Sequence, residues 1–402
     1  MKSSRRWFLR AVTAAGGAVA AACRRGVSDE TGAPSLLGRP ISRYGERSSF
    51  EGASRLLTDT DTPEVASSRT PLHQLHGTIT PASLHFERHH AGVPRIDPAD
   101  YQLLVHGLVD RPLVFTLDEL KRLPSVSRIH FLECSGNSAG NWRGAPQFSA
   151  QSAHGLTSCS EWTGVPLSLV FDEAGVQPAG RWFIAEGADA CKMSRSIPLA
   201  KAMDDALLAY AQNGEALRPE QGYPVRLLLP GWEGNTSVKW LRRLKLVDEP
   251  VMARDETSKY TDLQPDGRAR QFTFMMEAKS LILHPSGSQT LAGPGFYEIS
   301  GIAWSGQGAI ARVEISLDGG VTWAEARLQT PVLAKAHTRF TFAWRWDGRE
   351  TVLASRCTDE SGYVQPSRDA LVAARGLNTR YHYHGIQGWK VQSDGTVVDA
   401  AL

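Results

Sequence analysis

Four short segments of the sequence contain residue types that bind metals or anions. Leu84–Pro94 holds three histidines and an arginine, and Glu133–Asn137 places Cys134 in a small polar turn. Gly222–Arg226 and Ser237–Leu241 each contain one basic residue. A thiolate is a soft metal ligand, and Arg and Lys side chains bind phosphate and sulfur oxyanions. Each segment alone also fits a structural role, as surface histidines, a small buried turn or a solvated cation.

The cysteine spacing argues against a zinc or haem site. The five cysteines are widely separated and form no C-x-x-C or C-x-x-C-H pattern; they are Cys23, Cys134, Cys159, Cys191 and Cys357. Cys159 is an alternative metal ligand, but it lies outside the polar turn, so we expect a structural thiol. The run Tyr381–His384 could also hold a metal, because side chains two apart share a strand face. We expect it to be a half-exposed strand edge and leave it out of the site.

The N-terminal residues predict export in the folded state. Arg5 and Arg6 precede the weakly hydrophobic run Ala11–Ala22, which is the arrangement of a twin-arginine signal. This run is too short to span a bilayer as a stable helix. Cleavage after Ala22 is one expectation, and lipidation of Cys23 is an alternative with a poor match to a lipid-attachment box. A periplasmic protein whose cofactor is inserted before export is therefore predicted.

Composition and the periodicity of apolar residues divide the chain into regions. Hydrophobic residues make up 42% and charged residues 21%, as in ordinary globular proteins, and the net charge of +2 gives no reason to expect nucleic-acid binding. After the signal segment 1–26, residues 27–80 are polar with little periodicity and are predicted to form an extended arm. We expect an α+β domain in 81–250, a linker in 251–271 and an immunoglobulin-like β-sandwich in 272–402.

Local patterns support the α+β assignment. Tyr101–Val105 and Val225–Leu229 are apolar runs bounded by turn residues and are predicted to be strands. Leu117–Leu123 and Pro166–Ala174 have the length and spacing of short helices, and Thr116 is the expected N-cap of the first.

The C-terminal part has the alternating sequence pattern of β-strands. Phe296–Trp304, Ala311–Leu317 and Arg339–Trp346 alternate apolar and polar residues. Asp318–Gly320 is a turn signal, after which Val321–Trp323 is predicted to resume a strand. Regular short strands joined by Gly and Asp turns favour a β-sandwich.

Taken together and in this order, the four segments resemble the sulfite oxidase family of molybdenum enzymes. The motifs are F-x-R-x-H-x-x-V-P at Phe86–Pro94, E-C-x-G-N at Glu133–Asn137, G-x-P-V-R at Gly222–Arg226 and S-V-K-W-L at Ser237–Leu241. The resemblance covers nearly the whole chain after the arm. It implies an α+β molybdopterin-binding domain followed by an immunoglobulin-like dimerisation domain, a molybdenum–molybdopterin cofactor and a homodimer within a hetero-oligomer.

The resemblance also implies the roles of individual residues. Cys134 is expected to ligate molybdenum, Arg226 and Lys239 to bind the pterin phosphate, and His90 and Asp189 to bond the pterin ring. The full set of expected cofactor contacts is Phe86, Arg88, His89, His90, Cys134, Asp189, Arg226, Ser237 and Lys239. The residues expected to act on the substrate are Cys134, Arg88, Trp162, Tyr260 and Arg143.

Departures from the family pattern bear on the substrate. Animal members carry two arginines where this chain has Ser138 and Ala139, so one positive charge is lost or moved to Arg143, and Gln221 replaces a family histidine. A less basic pocket suits a bulkier sulfur substrate. The segments around Glu133–Trp142 and Gly155–Trp162 most resemble the molybdenum subunit of the sulfur-oxidising (Sox) system.

That resemblance implies oxidation of a sulfane sulfur on a carrier-protein cysteine. The chain carries no haem motif, so the expected electron acceptor is a separate c-type cytochrome subunit. A sulfite dehydrogenase using cytochrome c is the alternative. A reductase on the same scaffold also stays open, and a cofactor-free scaffold subunit is the alternative of another class.

Overall fold

The computed structural model describes Gly38 and residues 40–402. It divides into two compact units, one ending at Gly52 and one comprising Ala53–Leu402. The described residues of the first unit are exposed and form bends and turns without a helix or strand. The signal segment 1–26 and the first residues of the predicted arm lie outside the described part. No helix among the described residues is long and apolar enough to cross a membrane.

The second unit begins with many short strands. In chain order they are β1 (Leu56–Leu57), β2 (Ser67–Arg69), β3 (Glu87–Arg88), β4 (Gln102–Gly107), β5 (Leu113–Thr116), β6 (Val126–Glu133), β7 (Thr157–Pro166), β8 (Trp182–Gly187), β9 (Ser194–Pro198), β10 (Leu207–Gln212), β11 (Glu215–Ala216), β12 (Arg226–Leu228) and β13 (Leu241–Val247). The later strands are β14 (Asp262–Leu263), β15 (Ala269–Arg270), β16 (Lys279–His284), β17 (Gly295–Trp304), β18 (Ile310–Ser316), β19 (Ala324–Glu325), β20 (Arg327–Leu328), β21 (Thr338–Trp346), β22 (Thr351–Asp359), β23 (Gly388–Val391) and β24 (Val397–Ala400).

Helices are short and lie between the strands. The α-helices are α1 (Leu117–Arg122), α2 (Ala150–His154), α3 (Leu167–Ala174), α4 (Leu199–Asp204), α5 (Arg254–Thr257) and α6 (Arg368–Arg375). Single 3-10 turns occupy Pro63–Val65, Leu72–Gln74, Ala82–Leu84, Ala139–Arg143, Pro219–Gln221 and Gly234–Thr236. Thr116 caps α1 as predicted, and the structure adds a capping box with Glu119.

Two five-stranded sheets form the first part of the second unit. One has the order β11-β10-β7-β6, with β12 also paired to β10, and the other has the order β5-β4-β13-β8-β9. Only the β4–β13 pair within these two sheets is parallel. Apolar residues such as Leu103, Phe171 and Leu208 fill one core with α3. This mixed arrangement of sheets and short helices agrees with the predicted α+β class.

The later strands form the predicted sandwich. The sheets β16-β17-β21-β20 and β19-β18-β22-β23-β24 enclose a common core in which Ile299, Phe340 and Leu353 are buried. The prediction that Val321–Trp323 is a strand is wrong, because these residues form a turn before β19. The Asp318 carboxylate accepts hydrogen bonds from the backbone N–H groups of Val321 and Thr322, so those groups are not available to a neighbouring strand.

The two parts of the second unit share buried residues. Phe131 of β6 lies in the same apolar cluster as Trp304 of the sandwich. Its ring is stacked on His337 with centroids 6.2 Å apart, and its backbone N–H donates to the Lys335 carbonyl at 3.0 Å. Residues 53–80, from the predicted arm, also belong to this unit, since β1 and β2 form a sheet with β3. The predicted domain boundaries themselves stay a prediction.

Candidate active site

Strand β6 delivers Cys134 to the end of a sheet. The strand ends at Glu133, and the turn that follows is closed by a bond from the Asn137 N–H to the Cys134 carbonyl at 2.9 Å. The Cys134 N–H donates to the Leu156 carbonyl at 3.0 Å, which ties the turn to the start of β7. Burial raises the pKa of the Cys134 thiol, while the Gly136 backbone and the positive charge of Arg88 act in the opposite direction. A metal ion at the sulfur would favour the thiolate.

Cys134 opens into a cavity that is connected to solvent, with about 710 Å³ of empty space when the part open to solvent is included. The residues that line it are His85, Phe86, Arg88, His89, His90, Leu132, Cys134, Asp189, Met193, Gln221, Arg226, Gly234, Asn235, Ser237, Val238, Lys239, Trp240 and Tyr260. All four segments singled out from the sequence therefore meet in one place. Ten of the predicted site residues lie in this lining, namely Phe86, Arg88, His89, His90, Cys134, Asp189, Arg226, Ser237, Lys239 and Tyr260.

Two buried cations form part of the cavity wall. Arg226 donates to the backbone carbonyls of Gln221 and Ser237 at 3.0 and 2.9 Å, and its Nε has no partner among the described residues. Lys239 donates to the carbonyls of Arg88 and Glu220. Burial lowers the pKa of Arg226 to about 9 and that of Lys239 to about 7. Within the described chain neither cation is paired with a carboxylate, so both favour an anion in the cavity.

The histidines differ in their surroundings. His89 Nδ1 is 2.8 Å from the Lys239 ammonium, and its Nε2 is 2.7 Å from the Glu87 carboxylate. His90 Nε2 lies 3.1 Å from the Tyr260 hydroxyl. Burial, with the charges of Arg88 and Lys239, lowers the pKa of His90 to about 4, and burial raises that of Tyr260. The neutral imidazole of His90 therefore lies within hydrogen-bond distance of the protonated phenol of Tyr260 in the cavity lining.

Asp189 is oriented by its own loop. Its Oδ1 accepts the Met193 backbone N–H at 3.2 Å, and its Oδ2 accepts the Cys191 thiol at 2.8 Å. Burial and the Asp189 carboxylate raise the pKa of Cys191 to about 12, so this thiol stays protonated. No motif in the sequence connected Cys191 with the site.

Trp162 and Arg143 do not line the cavity. Trp162 is fully buried behind the wall, with the Arg226 guanidinium 5.1 Å from its ring centroid and its indole N–H donating to the His130 carbonyl. Its side chain is packed in an apolar cluster with Leu132 and Leu156, and its expected role in the substrate pocket stays a prediction. Arg143 is exposed at the end of a 3-10 turn and donates to the Leu377 carbonyl. The displaced positive charge expected from Arg143 is therefore absent from the described lining.

A buried polar network behind the Cys134 turn was missed from the sequence. His382 is buried, not a half-exposed strand edge, and its backbone N–H donates to the Ser135 carbonyl at 2.8 Å. Its Nε2 lies 3.2 Å from Glu233, which also pairs with the fully buried Arg195 at 3.1 Å. Asn235 joins Glu233 to the Ser135 hydroxyl. The only signal was the unusual Tyr381–His384 run itself.

The residues present fit a pterin cofactor that carries a phosphate and a metal. Two buried cations without carboxylate partners suit the phosphate, and the thiol of Cys134 suits a soft or borderline metal. Asp189 and His90 offer one acceptor and one neutral imidazole for ring nitrogen atoms.

Comparisons with known proteins agree with this arrangement. Residues 90–254 match the model of the oxidoreductase molybdopterin binding domain, and residues 270–388 match the Mo-co oxidoreductase dimerisation domain. A sulfite oxidase of Gallus gallus is 33% identical over 334 residues, which cover 76% of this chain and 72% of the relative. The chain therefore belongs to the sulfite oxidase family of molybdenum oxidoreductases. The predicted fold, an α+β molybdopterin-binding domain followed by an immunoglobulin-like dimerisation domain, is confirmed.

Other relatives differ in function and length. The chain is 31% identical to an NADH nitrate reductase of Ulva prolifera and 32% identical to the mitochondrial sulfite oxidase of Rattus norvegicus, and it spans only 38% and 57% of their lengths. Among solved structures, the sulfane dehydrogenase SoxCD of Paracoccus pantotrophus is similar with a TM-score of 0.89 and 48% identity. That match covers 92% of this chain and 96% of the other.

Proposed function

We propose that this protein is a molybdenum–molybdopterin enzyme that oxidises the sulfane sulfur on a carrier-protein cysteine. The observation that carries the proposal is the single cavity in which Cys134 meets Arg88, Arg226 and Lys239. The 48% identity with a chain of a sulfane dehydrogenase supports this substrate over others. We further propose that electrons pass to a separate c-type cytochrome subunit.

The chain's own residues have separable tasks in this reaction. Arg226 and Lys239 neutralise the pterin phosphate, and Asp189 and His90 orient the pterin ring. Cys134 supplies a thiolate ligand to the metal. When bound, the metal supplies oxygen-atom transfer coupled to a two-electron change. The protein holds the cofactor at a fixed position.

The substrate side of the cavity has little positive charge. Arg88 is its one cation outside the predicted phosphate pair, judged from the described lining. The Arg88 guanidinium also donates to the carbonyl oxygen atoms of Ala66 and His89, which fixes its direction. Ser138 points inward, to Lys279 and His154, and Arg143 points outward. One fixed cation suits a singly charged persulfide better than a small dianion.

Location and assembly follow from other features. The paired arginines before Ala11–Ala22 support export of the folded holoprotein to the periplasm. The dimerisation domain supports a homodimer, and the similarity to a SoxCD chain supports a hetero-oligomer with a cytochrome subunit.

The proposal is tested with purified holoprotein, a persulfidated carrier protein, free sulfite and cytochrome c. We expect about one molybdenum per chain and faster turnover with the persulfidated carrier than with sulfite. Cys134→Ser should abolish turnover, because a hydroxyl is a poor donor to this metal, and Cys159→Ser is the matched control, since Cys159 is a buried free thiol outside the cavity lining. Turnover of sulfite alone would support the alternative, a sulfite dehydrogenase like the sulfite oxidases among the relatives. Protein without molybdenum would instead indicate a scaffold subunit.

A further inference from the structure

The carboxylate next to Cys134 is held by the sandwich. Glu133 is almost completely buried, at 1% exposure, and its carboxylate accepts the Trp304 indole N–H at 2.6 Å and the Lys279 ammonium at 3.2 Å. Trp304 is the last residue of β17, and Lys279 is the first residue of β16. Asn137, from the turn itself, donates to the same carboxylate at 2.8 Å.

The Lys279 ammonium also reaches the other end of the turn. It lies 3.0 Å from the Ser138 hydroxyl and 5.7 Å from the Trp304 ring centroid. Ser138 has a positive φ of 63°, a conformation that a side chain adopts at a cost, and His154 Nδ1 lies 2.7 Å from its hydroxyl. One ammonium group therefore bridges the two residues that flank the Cys134 turn, Glu133 and Ser138.

A third attachment comes from the C-terminal run. The His382 N–H bonds the carbonyl of Ser135, the residue immediately after Cys134. Every residue from Glu133 to Ser135 is thus in contact with the rest of the protein through at least one buried hydrogen bond: Glu133 to the sandwich, Cys134 to Leu156, and Ser135 to His382.

A buried ion pair is an expensive way to gain stability. Lys279 and Glu133 are 2% and 1% exposed, and removing both charges from water offsets much of their attraction. An apolar pair of similar volume fills such a space at lower cost. An ion pair with several hydrogen bonds instead holds the groups that it joins in one defined orientation.

We propose that Lys279, together with Trp304, is a positioning residue that fixes the direction from which the Cys134 sulfur approaches the metal. The sandwich is then a structural component of the catalytic site as well as a dimerisation domain. The inference rests on the proposed role of Cys134 as the metal ligand.

Three variants of the full-length holoprotein test the inference. Lys279→Met removes the bridge, Glu133→Gln/Lys279→Met removes it without leaving a buried unpaired charge, and Trp304→Phe removes one donor while keeping an aromatic ring. Lys335→Met is the matched control, because Lys335 also lies in the C-terminal part and pairs with a carboxylate of the first part, Asp205, at 2.6 Å. Molybdenum content, the X-ray absorption spectrum at the molybdenum edge, kcat and KM are measured for each.

We expect the charge-neutral double variant to retain molybdenum but to show a lengthened or missing sulfur neighbour in the absorption spectrum. Its kcat should fall about tenfold or more, equivalent to at least about 1.4 kcal/mol in the barrier, while KM changes little. Trp304→Phe should change the spectrum in the same direction by a smaller amount, and Lys335→Met should leave it unchanged.

Each other outcome has a defined meaning. A double variant with normal molybdenum content, wild-type spectrum and wild-type kcat overturns the positioning role. If that variant does not fold, a wild-type spectrum in Trp304→Phe overturns it. Cys134→Ser is measured alongside: if it leaves the sulfur neighbours of the metal unchanged, the metal-ligand proposal fails, independently of the result for Lys279.

Discussion

Arg226 and Lys239 place two buried positive charges in one wall of the cavity. Their hydrogen bonds go to carbonyl oxygen atoms and, for Lys239, also to the His89 imidazole, and these neutral groups do not neutralise charge. Burial consequently lowers the pKa of both side chains. An anion at this wall reverses that shift, because it favours the charged forms.

We expect sulfate, used as a non-titrating substitute for the pterin phosphate, to bind cofactor-free protein more weakly as pH rises above 7. Burial lowers the pKa of Lys239 to about 7, so above that value the amine is neutral and must take up a proton when the anion binds. Affinity should then fall by up to about tenfold per pH unit. Calorimetric titration across this range measures it.

Lys239→Met is the control for that experiment. It should weaken sulfate binding below pH 7 and remove most of the pH dependence. A wild-type affinity that is constant across the range, or a variant that keeps the same slope, contradicts the assignment of this anion site.

Trp162 offers a second test at the scale of one residue. Its ring contacts the Arg226 guanidinium and not the cavity, so Trp162→Leu should lower cofactor retention through Arg226. Loss of the cation–π contact alone accounts for about 1–2 kcal/mol, which corresponds to a roughly five- to thirtyfold lower affinity for the cofactor phosphate. Molybdenum content after dialysis measures retention.

The conservative change Trp162→Phe should recover most of the loss, because it keeps an aromatic face under the guanidinium. If instead both variants hold normal molybdenum and raise KM for the sulfur substrate, then Trp162 lines the substrate pocket as the sequence suggested.

The sequence indicated much of the site because its residues occur in short segments with recognisable spacing. Cys134, Arg226 and Lys239 could each be found in this way. Glu233, His382 and Lys279 could not, because each acts through a contact that is distant in sequence, such as the 146-residue separation between Lys279 and Glu133. The place of Trp162 outside the cavity lining could not be predicted either, since a motif does not say which face of a strand a side chain occupies.

At the scale of the elements, α1 shows what local sequence determines. Thr116 caps the helix by accepting the Glu119 N–H, and the Glu119 side chain accepts the Thr116 N–H in return. Such reciprocal bonds depend only on residues three apart, so the sequence was sufficient to predict the cap at Thr116. The turn after β18 is the opposite case, because the Asp318 side chain competes with strand pairing that the apolar pattern favours.

We expect Thr116→Ala to lower the free energy of unfolding by about 1 kcal/mol, since it leaves a helix N–H without its acceptor. Chemical denaturation of the cofactor-loaded protein measures the change. Thr257→Ala is the control, because the Thr257 hydroxyl donates to the carbonyls of Ala253 and Arg254 and does not accept an N–H at the start of α5. A cost for Thr257→Ala equal to that for Thr116→Ala contradicts the capping explanation.

At the scale of the whole second unit, the apolar core crosses between its two parts. Phe131, Cys159 and Ala150 of the first part are buried in the same cluster as Leu281 and Trp389 of the sandwich. Two domains were predicted because the sequence changes from a mixture of strand and helix patterns to regular strand patterns. Strand patterns, however, give no information about which faces of separate sheets pack together. The resemblance to a known family supplied the fold, and the shared core became visible only in the structure.

Phe131→Ala should therefore weaken both parts together. Removing a fully buried phenylalanine side chain costs about 3–5 kcal/mol, and Phe131 contacts His337 and Trp304 across the boundary. Calorimetry should show one unfolding transition of residues 53–402, shifted to lower temperature. A shift confined to the first of two separate transitions would mean that the core does not couple the parts.

The stacked pair of Phe131 and His337 limits how such a protein can be recombined. In a chimera that joins the first part of this protein to the sandwich of a relative, the aromatic residues of β6 that contact the sandwich must also come from that relative. Otherwise the two parts leave a cavity where they pack together. Exchange of the sandwich at the predicted boundary near residue 272 is thus constrained by side chains more than a hundred residues earlier in the chain.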